Sequence, residues 1–304
     1  MHPDRALPRI LITGCNGQVG FELQRSLAPL GEVIALDRQT CDLAQLDVVR
    51  QLVRDVRPDV IVNAAAYTAV DKAEQEADLA HAINGIAPGV LAEEAVALGS
   101  LLVHYSTDYV FDGTGTGPYR ETDAVNPQSA YGRSKLEGER AIMATSVKAL
   151  ILRTSWVFGA HGGNFIKTML RLGQERESLR IVADQHGAPT SAALIADITA
   201  QIVGRFWLHG NRSNFPAGTY HLAAAGETSW HAYAQEIFRG ARLRRVPLKV
   251  REDAVEPIAT HEYPVPAARP ANSRLDTTNL TRTFGVYLPP WEQGLNHVLD
   301  QILT

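Results

Sequence analysis

An α/β fold with a doubly wound parallel sheet is what the sequence predicts, on three observations. Short apolar runs alternate with segments of helical periodicity through the first half of the chain. A glycine-spaced turn, Gly14-x-x-Gly17-x-x-Gly20, joins the first run to the first helix. Polar residues gather where the runs end, at the edge where such sheets hold ligands.

The first run, Arg9-Ile10-Leu11-Ile12-Thr13-Gly14, reads as a buried strand, and Phe21 to Leu27 has helical spacing. Strand, glycine turn and helix form the context of a dinucleotide loop. The glycines let backbone approach a pyrophosphate, and the helix N-terminus stabilises its charge. The first gap holds two residues, so this is not the common G-x-G-x-x-G form. Val33-Ile34-Ala35-Leu36 is the second strand and ends in Asp37-Arg38. An acid there binds the ribose 2′-hydroxyl of NAD, whereas an arginine beside it holds the 2′-phosphate of NADP. Both residues are present, and the balance leans towards NADPH, with NADH possible.

Leu46 to Arg57 reads as a helix stopped by Pro58, and Asp59-Val60-Ile61-Val62 as the third strand. It runs into Asn63-Ala64-Ala65-Ala66, whose small side chains let backbone lie against a flat ligand. A long helical stretch over roughly 72–98 follows, with a break expected around Gly85 and Pro88. Leu101 to Ser106 is the fourth strand, with Thr107-Asp108 at its carboxyl end. Gly113 to Pro127 is a loop, a helix carries Tyr131 and Lys135, and Ala149 to Arg153 is the fifth strand, ending at Thr154-Ser155-Trp156. Repeated βα units of this kind make a Rossmann-type sheet with right-handed crossovers. The pattern loosens beyond about residue 160, with helices at Ala192 to Phe206, Trp230 to Arg239 and near the C-terminus. We divide the chain into a nucleotide-binding domain, 1–160, and a smaller substrate-binding lobe, 161–304, whose segments can return to the sheet.

The chemistry concentrates in Tyr131-Gly132-Arg133-Ser134-Lys135. Tyr131 and Lys135 are four apart and share one helix face. A phenol has a pKa near ~10, and an ammonium one turn away favours its ionised form, making it a usable proton donor and acceptor for a carbonyl/alcohol pair. Thr107 can offer a second hydroxyl to the same oxygen. By residue type, Asp108 serves equally as a helix cap, and Trp156 after an apolar strand as core.

Composition bounds the rest. The charged residues number 29 basic and 33 acidic with no basic cluster, so nucleic acid is not an expected partner. Two cysteines, Cys15 and Cys41, make no disulfide framework and suit a reducing cytosol. No apolar run is long enough to span a membrane, and Met1-His2-Pro3-Asp4-Arg5 lacks a signal peptide's apolar region. The ten histidines form no zinc-type pair.

With the glycine loop, Ser106-Thr107-Asp108-Tyr109-Val110-Phe111-Asp112-Gly113 and Tyr131-x-x-x-Lys135 in order, the chain resembles the extended short-chain dehydrogenase/reductase family. Gln18-Val19, Val62 to Glu74, Arg153 to Phe158, Asp184-Gln185-His186-Gly187-Ala188-Pro189-Thr190 and Arg269-Pro270-Ala271-Asn272-Ser273-Arg274-Leu275 place it with the sugar-nucleotide reductases of that family. The resemblance implies a hydride transfer from NADPH, or NADH, to the C4 ketone of a dTDP-sugar, dTDP-4-dehydro-L-rhamnose. It implies Thr107, Tyr131 and Lys135 as catalytic residues, with Tyr131 protonating the alkoxide and Lys135 binding the nicotinamide ribose. Cofactor contacts are implied from Gly14, Gly17, Gln18, Val19, Asp37, Arg38, Asp42, Leu43, Ala64, Ala65 and Ala66. Substrate contacts are implied from Val70, Asp108, Trp156 and Asn164, with Arg269 and Ser273 on the diphosphate. Some relatives gather carboxylates around Mg²⁺ at a dimer interface; Glu22 and Glu292 match two such positions, but Ala193 replaces a third. No bound metal is therefore expected, and a monomer or a homodimer is left open. The rhamnose would go to a bacterial cell-surface polysaccharide such as lipopolysaccharide O-antigen. Two other readings of the same residues are an epimerase or dehydratase that recycles NAD, and a regulatory subunit that binds NADP without catalysis.

Overall fold

The structure is a computed structural model and describes residues 7–303. The Met1–Arg5 segment read above lies outside the described residues. Strands β1 (Arg9–Thr13), β2 (Glu32–Leu36), β3 (Val60–Asn63), β4 (Leu101–Thr107), β5 (Lys148–Thr154) and β6 (Gly218–His221) form one sheet in the order β6-β5-β4-β3-β1-β2. Every pairing in it is parallel. The middle strands read as unbroken apolar runs because both faces are covered. Alternation along β1 sends Ile10 and Ile12 to one face and Leu11 to the other.

On the first face lie α1 (Gln18–Leu27) and α8 (Ala192–Ile202), whose Leu23, Leu27, Ile195 and Ile198 pack on β1, β3, β4 and β5. On the second lie α2 (Leu46–Val56), α5 (Ala87–Leu98) and α6 (Ala130–Met143), through Val49, Val53, Leu91 and Ile142. The chain leaves β1 outward to β2 and crosses back to β3. That reversal opens a crevice beyond the carboxyl ends of β1 and β3, the place where such sheets bind ligands.

The stretch between β3 and β4 departs from the expected break. A single turn, α3 (Val70–Ala73), ends before Glu76, and the chain then runs from α4 (Ala77–His81) through a wide π turn at Ala82–Ile86 into α5. Gly85 and Pro88 thus lie within a continuous helical rod. Pro88 lies in the first turn of α5, where the preceding wide turn already removes the need for its missing N–H. Asn84, in the wide turn, is buried between Tyr67 and α6. Its amide accepts from Tyr67 N at 2.8 Å, and donates to Tyr67 O at 3.0 Å and Ser134 Oγ at 3.1 Å. It therefore ties the chain after β3 to α6.

Past β5, helices α7 (Phe165–Glu175), α9 (Trp230–Leu243) and α11 (Trp291–Leu303) build a second core from Ile166, Tyr233, Ile237, Phe238, Leu295 and Leu299. Helix α10 (Thr278–Phe284) turns back to the sheet through Leu280 and Phe284. Helix α7 was not expected from the sequence, although Asn164 caps it by accepting from Lys167 N. Strand β6 extends the sheet beside β5, and α8 covers α1. The later part of the chain thus contributes to both cores.

One ion pair is fully enclosed. Arg153 on β5 donates to both carboxylate oxygens of Glu139 on α6, at 2.9 and 2.7 Å, with side-chain exposures of 6% and 0%. Removing one partner leaves a buried charge alone, so Glu139→Gln should lower stability by about 3–5 kcal/mol. Urea unfolding measures this, and a loss below about 1 kcal/mol, the level of an exposed pair, would contradict the account.

Candidate active site

The crevice is a cleft of about 810 Å³, lined by the carboxyl ends of β1, β3, β4 and β5 and by α6. At one end is the glycine turn. Gly14 has φ +70°, and a Cβ there would stand 2.7 Å from Ala65 Cα, so glycine is required where β1 passes the end of β3. Gly17 precedes the first turn of α1 and places no side chain over that helix's leading amides, leaving the N-terminus open to an anion. Gln18 and Val19 line the cleft here, and Ala64, Ala65 and Ala66 form its flat wall.

Asp37 and Arg38 stand at the rim with Asp42 and Leu43. Asp37 is engaged by its own turn: Gln39 N, Thr40 N and Thr40 Oγ1 donate to it at 3.0, 3.0 and 2.9 Å, and these bonds hold its carboxyl below the ordinary value. The Arg38 side chain is 76% exposed, with only a 3.9 Å contact to Asp42. A guanidinium so loosely held can turn to a 2′-phosphate. The open helix end, the alanine wall and the Asp37–Arg38 rim fit a nicotinamide dinucleotide.

At the other end, β4 delivers Thr107 and α6 delivers Tyr131 and Lys135 to the same wall. Helix α6 is capped by Ser129, whose Oγ accepts from Gly132 N at 3.1 Å. A Cβ on Gly132 would meet Tyr109 O at 2.3 Å, so the first turn of α6 lies directly on the backbone after β4. That contact sets Thr107 within hydrogen-bonding reach of the Tyr131 phenol. The Tyr109 ring stands edge-on to Tyr131, with centroids 5.6 Å apart.

The electrostatics differ from the sequence expectation in one respect. Burial and the nearby Asp108 push the Tyr131 phenol up to about 12, and the Thr107 hydrogen bond offsets only part of this. Lys135 does not lower it, because its ammonium turns towards the sheet: Nζ donates to Tyr105 O at 2.6 Å and meets His104 Nε2 at 3.1 Å. Burial lowers Lys135 to about 8. Tyr131 is thus a protonated phenol at neutral pH, suited to donating a proton.

Asp108 is buried beside Thr107, whose hydroxyl donates to its Oδ1 at 3.0 Å. Burial raises its carboxyl to about 6, with the Ser273 hydroxyl favouring the charged form. It does not cap the short turn that follows; Thr107 does, accepting from Tyr109 N at 3.2 Å. Trp156 lines the cleft with φ +48°, a conformation that costs a bulky residue energy. Trp230 stacks on it at 3.7 Å, and a Cβ on Gly187 would press on its ring at 2.7 Å.

The cleft lining includes the sequence-derived cofactor residues, and Val70, Thr107, Asp108, Tyr131, Lys135 and Trp156. Three further residues lie outside that lining. Asn164 caps α7 and donates to Gln18 Oε1 at 3.0 Å, bracing the glycine turn from behind. Arg269 lines a small adjoining pocket and donates to Asp71 Oδ2 at 2.6 Å. Ser273 is buried behind Asp108, its N–H donating to His186 O at 2.7 Å. The 184–190 and 269–275 stretches therefore pair with each other, and Asn272 ties them to the loop after β4 through Gly115 O and Gly117 O. Glu22 pairs with Arg25 at 3.3 Å. Among the described residues no group of three His, Cys, Asp or Glu side chains is placed to hold a metal ion.

Sequence reading missed Ser106, Tyr109, Ser155 and the Gly162-Gly163 turn, all of which line the cleft, and His104 beneath it. The available signal for His104 was a polar residue inside an otherwise apolar strand.

The family model described as the RmlD substrate binding domain matches residues 8–304. The dTDP-4-dehydrorhamnose reductase of Burkholderia thailandensis is 49% identical, over 97% of this chain and 99% of its own. A crystal structure of a dTDP-4-dehydrorhamnose reductase from Clostridium acetobutylicum superposes with a TM-score of 0.88 at 40% identity, covering 97% of this chain and 100% of that one. That of Bacillus anthracis, solved in complex with NADP, gives 0.88 at 37% identity, covering 97% and 99%. The chain belongs to the RmlD substrate binding domain family, together with these dTDP-4-dehydrorhamnose reductases.

Proposed function

We propose that this chain reduces the C4 ketone of dTDP-4-dehydro-L-rhamnose to dTDP-L-rhamnose with NADPH, the last step of dTDP-L-rhamnose biosynthesis. The observation that carries the reading is the pair of hydroxyls, Thr107 and Tyr131, set over Lys135 in the wall of a dinucleotide cleft. Bound in that cleft, a reduced nicotinamide supplies a hydride. Everything else is done by side chains. Thr107 and Tyr131 offer hydrogen bonds to the carbonyl oxygen, which strengthen as negative charge develops there. Tyr131 then gives its proton to the alkoxide. Its raised pKa suits this direction, since it keeps the phenol protonated until a stronger base forms beside it. Lys135 would hold the nicotinamide ribose. Trp156, fixed by Trp230 and by the 184–190 stretch, walls the sugar side, with Asp108 and Val70 beside it.

Arg38 is assigned to the 2′-phosphate, which makes NADPH the preferred donor and NADH a poorer one. The diphosphate of the sugar nucleotide is assigned to Arg269, released from Asp71 when substrate enters. The reaction is assigned to the cytoplasm, in keeping with two buried, free cysteines.

The test is NADPH absorbance with the 4-keto sugar nucleotide, followed by mass spectrometry. One cofactor consumed per sugar, with a gain of two hydrogens, is expected; turnover without net cofactor loss would point to an epimerase or dehydratase instead. In the same assay Tyr131→Phe should lower kcat by roughly 10²–10⁴ while NADPH still binds. Unchanged kcat would remove Tyr131 as the proton donor. Arg38→Ala should raise KM for NADPH by about tenfold or more and leave KM for NADH within about twofold, as loss of a charge-assisted phosphate contact requires. Equal changes for both cofactors would remove Arg38 from 2′-phosphate recognition.

A further inference from the structure

Thr13, Asn63 and His104 are register partners across three adjacent strands: Thr13 pairs with Asn63 between β1 and β3, and Asn63 with His104 between β3 and β4. In parallel strands, residues in register present side chains to the same face, so the three polar groups form one row. All three are buried, at 0%, 1% and 1% exposure. Thr13 Oγ1 donates to Asn63 Oδ1 at 2.7 Å, and Asn63 Nδ2 meets His104 Nδ1 at 3.0 Å. His104 Nε2 meets Lys135 Nζ at 3.1 Å. The far end of the row touches the cleft wall, where Ala65 N donates to Thr13 Oγ1 at 3.4 Å. A buried polar row under a reaction cleft is costly unless every member is satisfied.

We propose that His104 is a positioning residue for Lys135, holding its Nζ against the sheet in either charge state, with Asn63 and Thr13 setting which ring nitrogen carries the proton. The proposal rests on the reductase reading for what Lys135 does, but its geometry stands apart from it. The ring is buried next to the ammonium, and both effects keep it neutral, its pKa well below the ordinary value. A neutral ring has one donor and one acceptor. With Nδ1 accepting from the Asn63 amide, the ring proton is on Nε2 and meets an uncharged Lys135 amine. With the amide turned over, Nδ2 donates to Thr13 Oγ1 in place of the bond from that hydroxyl to Oδ1, Oδ1 accepts from Nδ1–H, and Nε2 accepts from the ammonium. The row therefore satisfies Lys135 on both sides of its titration, while Tyr105 O anchors a second proton of the ammonium.

The titratable groups facing Lys135 are few. Tyr131 and Glu139 share its helix, His104 and Tyr105 come from β4, and Glu139, paired with Arg153 of β5, raises the Lys135 pKa against the lowering by burial. His81 and Glu137 pair on the outer, exposed side of the rod and α6.

The test pairs titration with kinetics. Nitrogen-15 NMR of the wild-type ring should show a neutral His104 from about pH 6 to 9 whose protonated nitrogen changes from Nδ1 to Nε2 as Lys135 loses its proton. His104→Gln keeps an acceptor and should hold kcat within about threefold, whereas His104→Leu should lower kcat about tenfold, the scale of a lost charge-assisted hydrogen bond. His104→Leu should also shift the Lys135 midpoint to lower pH, because a buried ammonium then has one acceptor fewer. KM for the sugar should change little. A His104→Leu enzyme with wild-type kcat and midpoint overturns the proposal. So does an equal kcat loss in the Leu and Gln variants with an unmoved midpoint, which would make the ring a packing group. Should His104→Leu not fold, Asn63→Ala decides: a changed ring tautomer supports the proposal and an unchanged one overturns it. The titrations use no sugar, so failure of the reductase reading would appear separately, as absent turnover in the wild type.

Discussion

Burial of the Lys135 ammonium is the constraint on which the site depends. A charge removed from water is costly unless strong acceptors meet it. Here the acceptor is the Tyr105 carbonyl on β4, with the His104 ring of the same strand beside it, so the lysine can be placed only if α6 lies directly on β4. Gly132 permits that approach, and the Glu139–Arg153 pair fastens the next turn of the helix to β5. Tyr131 sits one turn before Lys135, so the same docking brings its phenol to Thr107. Site geometry and helix packing are therefore one problem with one solution.

The cofactor end follows from topology. A parallel sheet that reverses direction between β1 and β3 leaves a crevice no connection crosses. The glycine turn fills none of it, and α1 begins there without a side-chain cap. The sugar end needs more chain. Trp156 is held in a strained backbone by stacking on Trp230 and by the 184–190 stretch beneath it, and that stretch is fastened to 269–275 and to the loop after β4. Segments far apart in sequence thus meet around one ring.

Much of this was legible in the sequence, for identifiable reasons. Apolar runs and helical spacing located the five leading strands, because burial on both faces leaves a continuous signal. The glycine turn and Tyr131-x-x-x-Lys135 were readable because their chemistry is local: a turn and one helix face. What escaped depended on distance. The orientation of Lys135 towards the sheet requires knowing that His104 and Tyr105 lie beneath it, and the raised pKa of Tyr131 requires knowing that it is buried beside Asp108. The row from Thr13 to His104 exists only through strand register. The run across Gly85 and Pro88 continues because a π turn takes in Gly85 and Pro88 falls in the first turn of α5, where a missing N–H is tolerated. The contacts of Ser273 behind Asp108 and of Asn164 with Gln18 likewise depend on the folding of the later chain.

The central claim is direct hydride delivery to C4 of the sugar at the Thr107–Tyr131 site. The most direct measurement uses NADPH carrying deuterium at the transferable position of the nicotinamide, with the product sugar read by NMR. The account predicts deuterium bonded to C4 alone, on one face, with the added hydroxyl proton coming from solvent. Deuterium at another sugar carbon, or a product without deuterium, would contradict it.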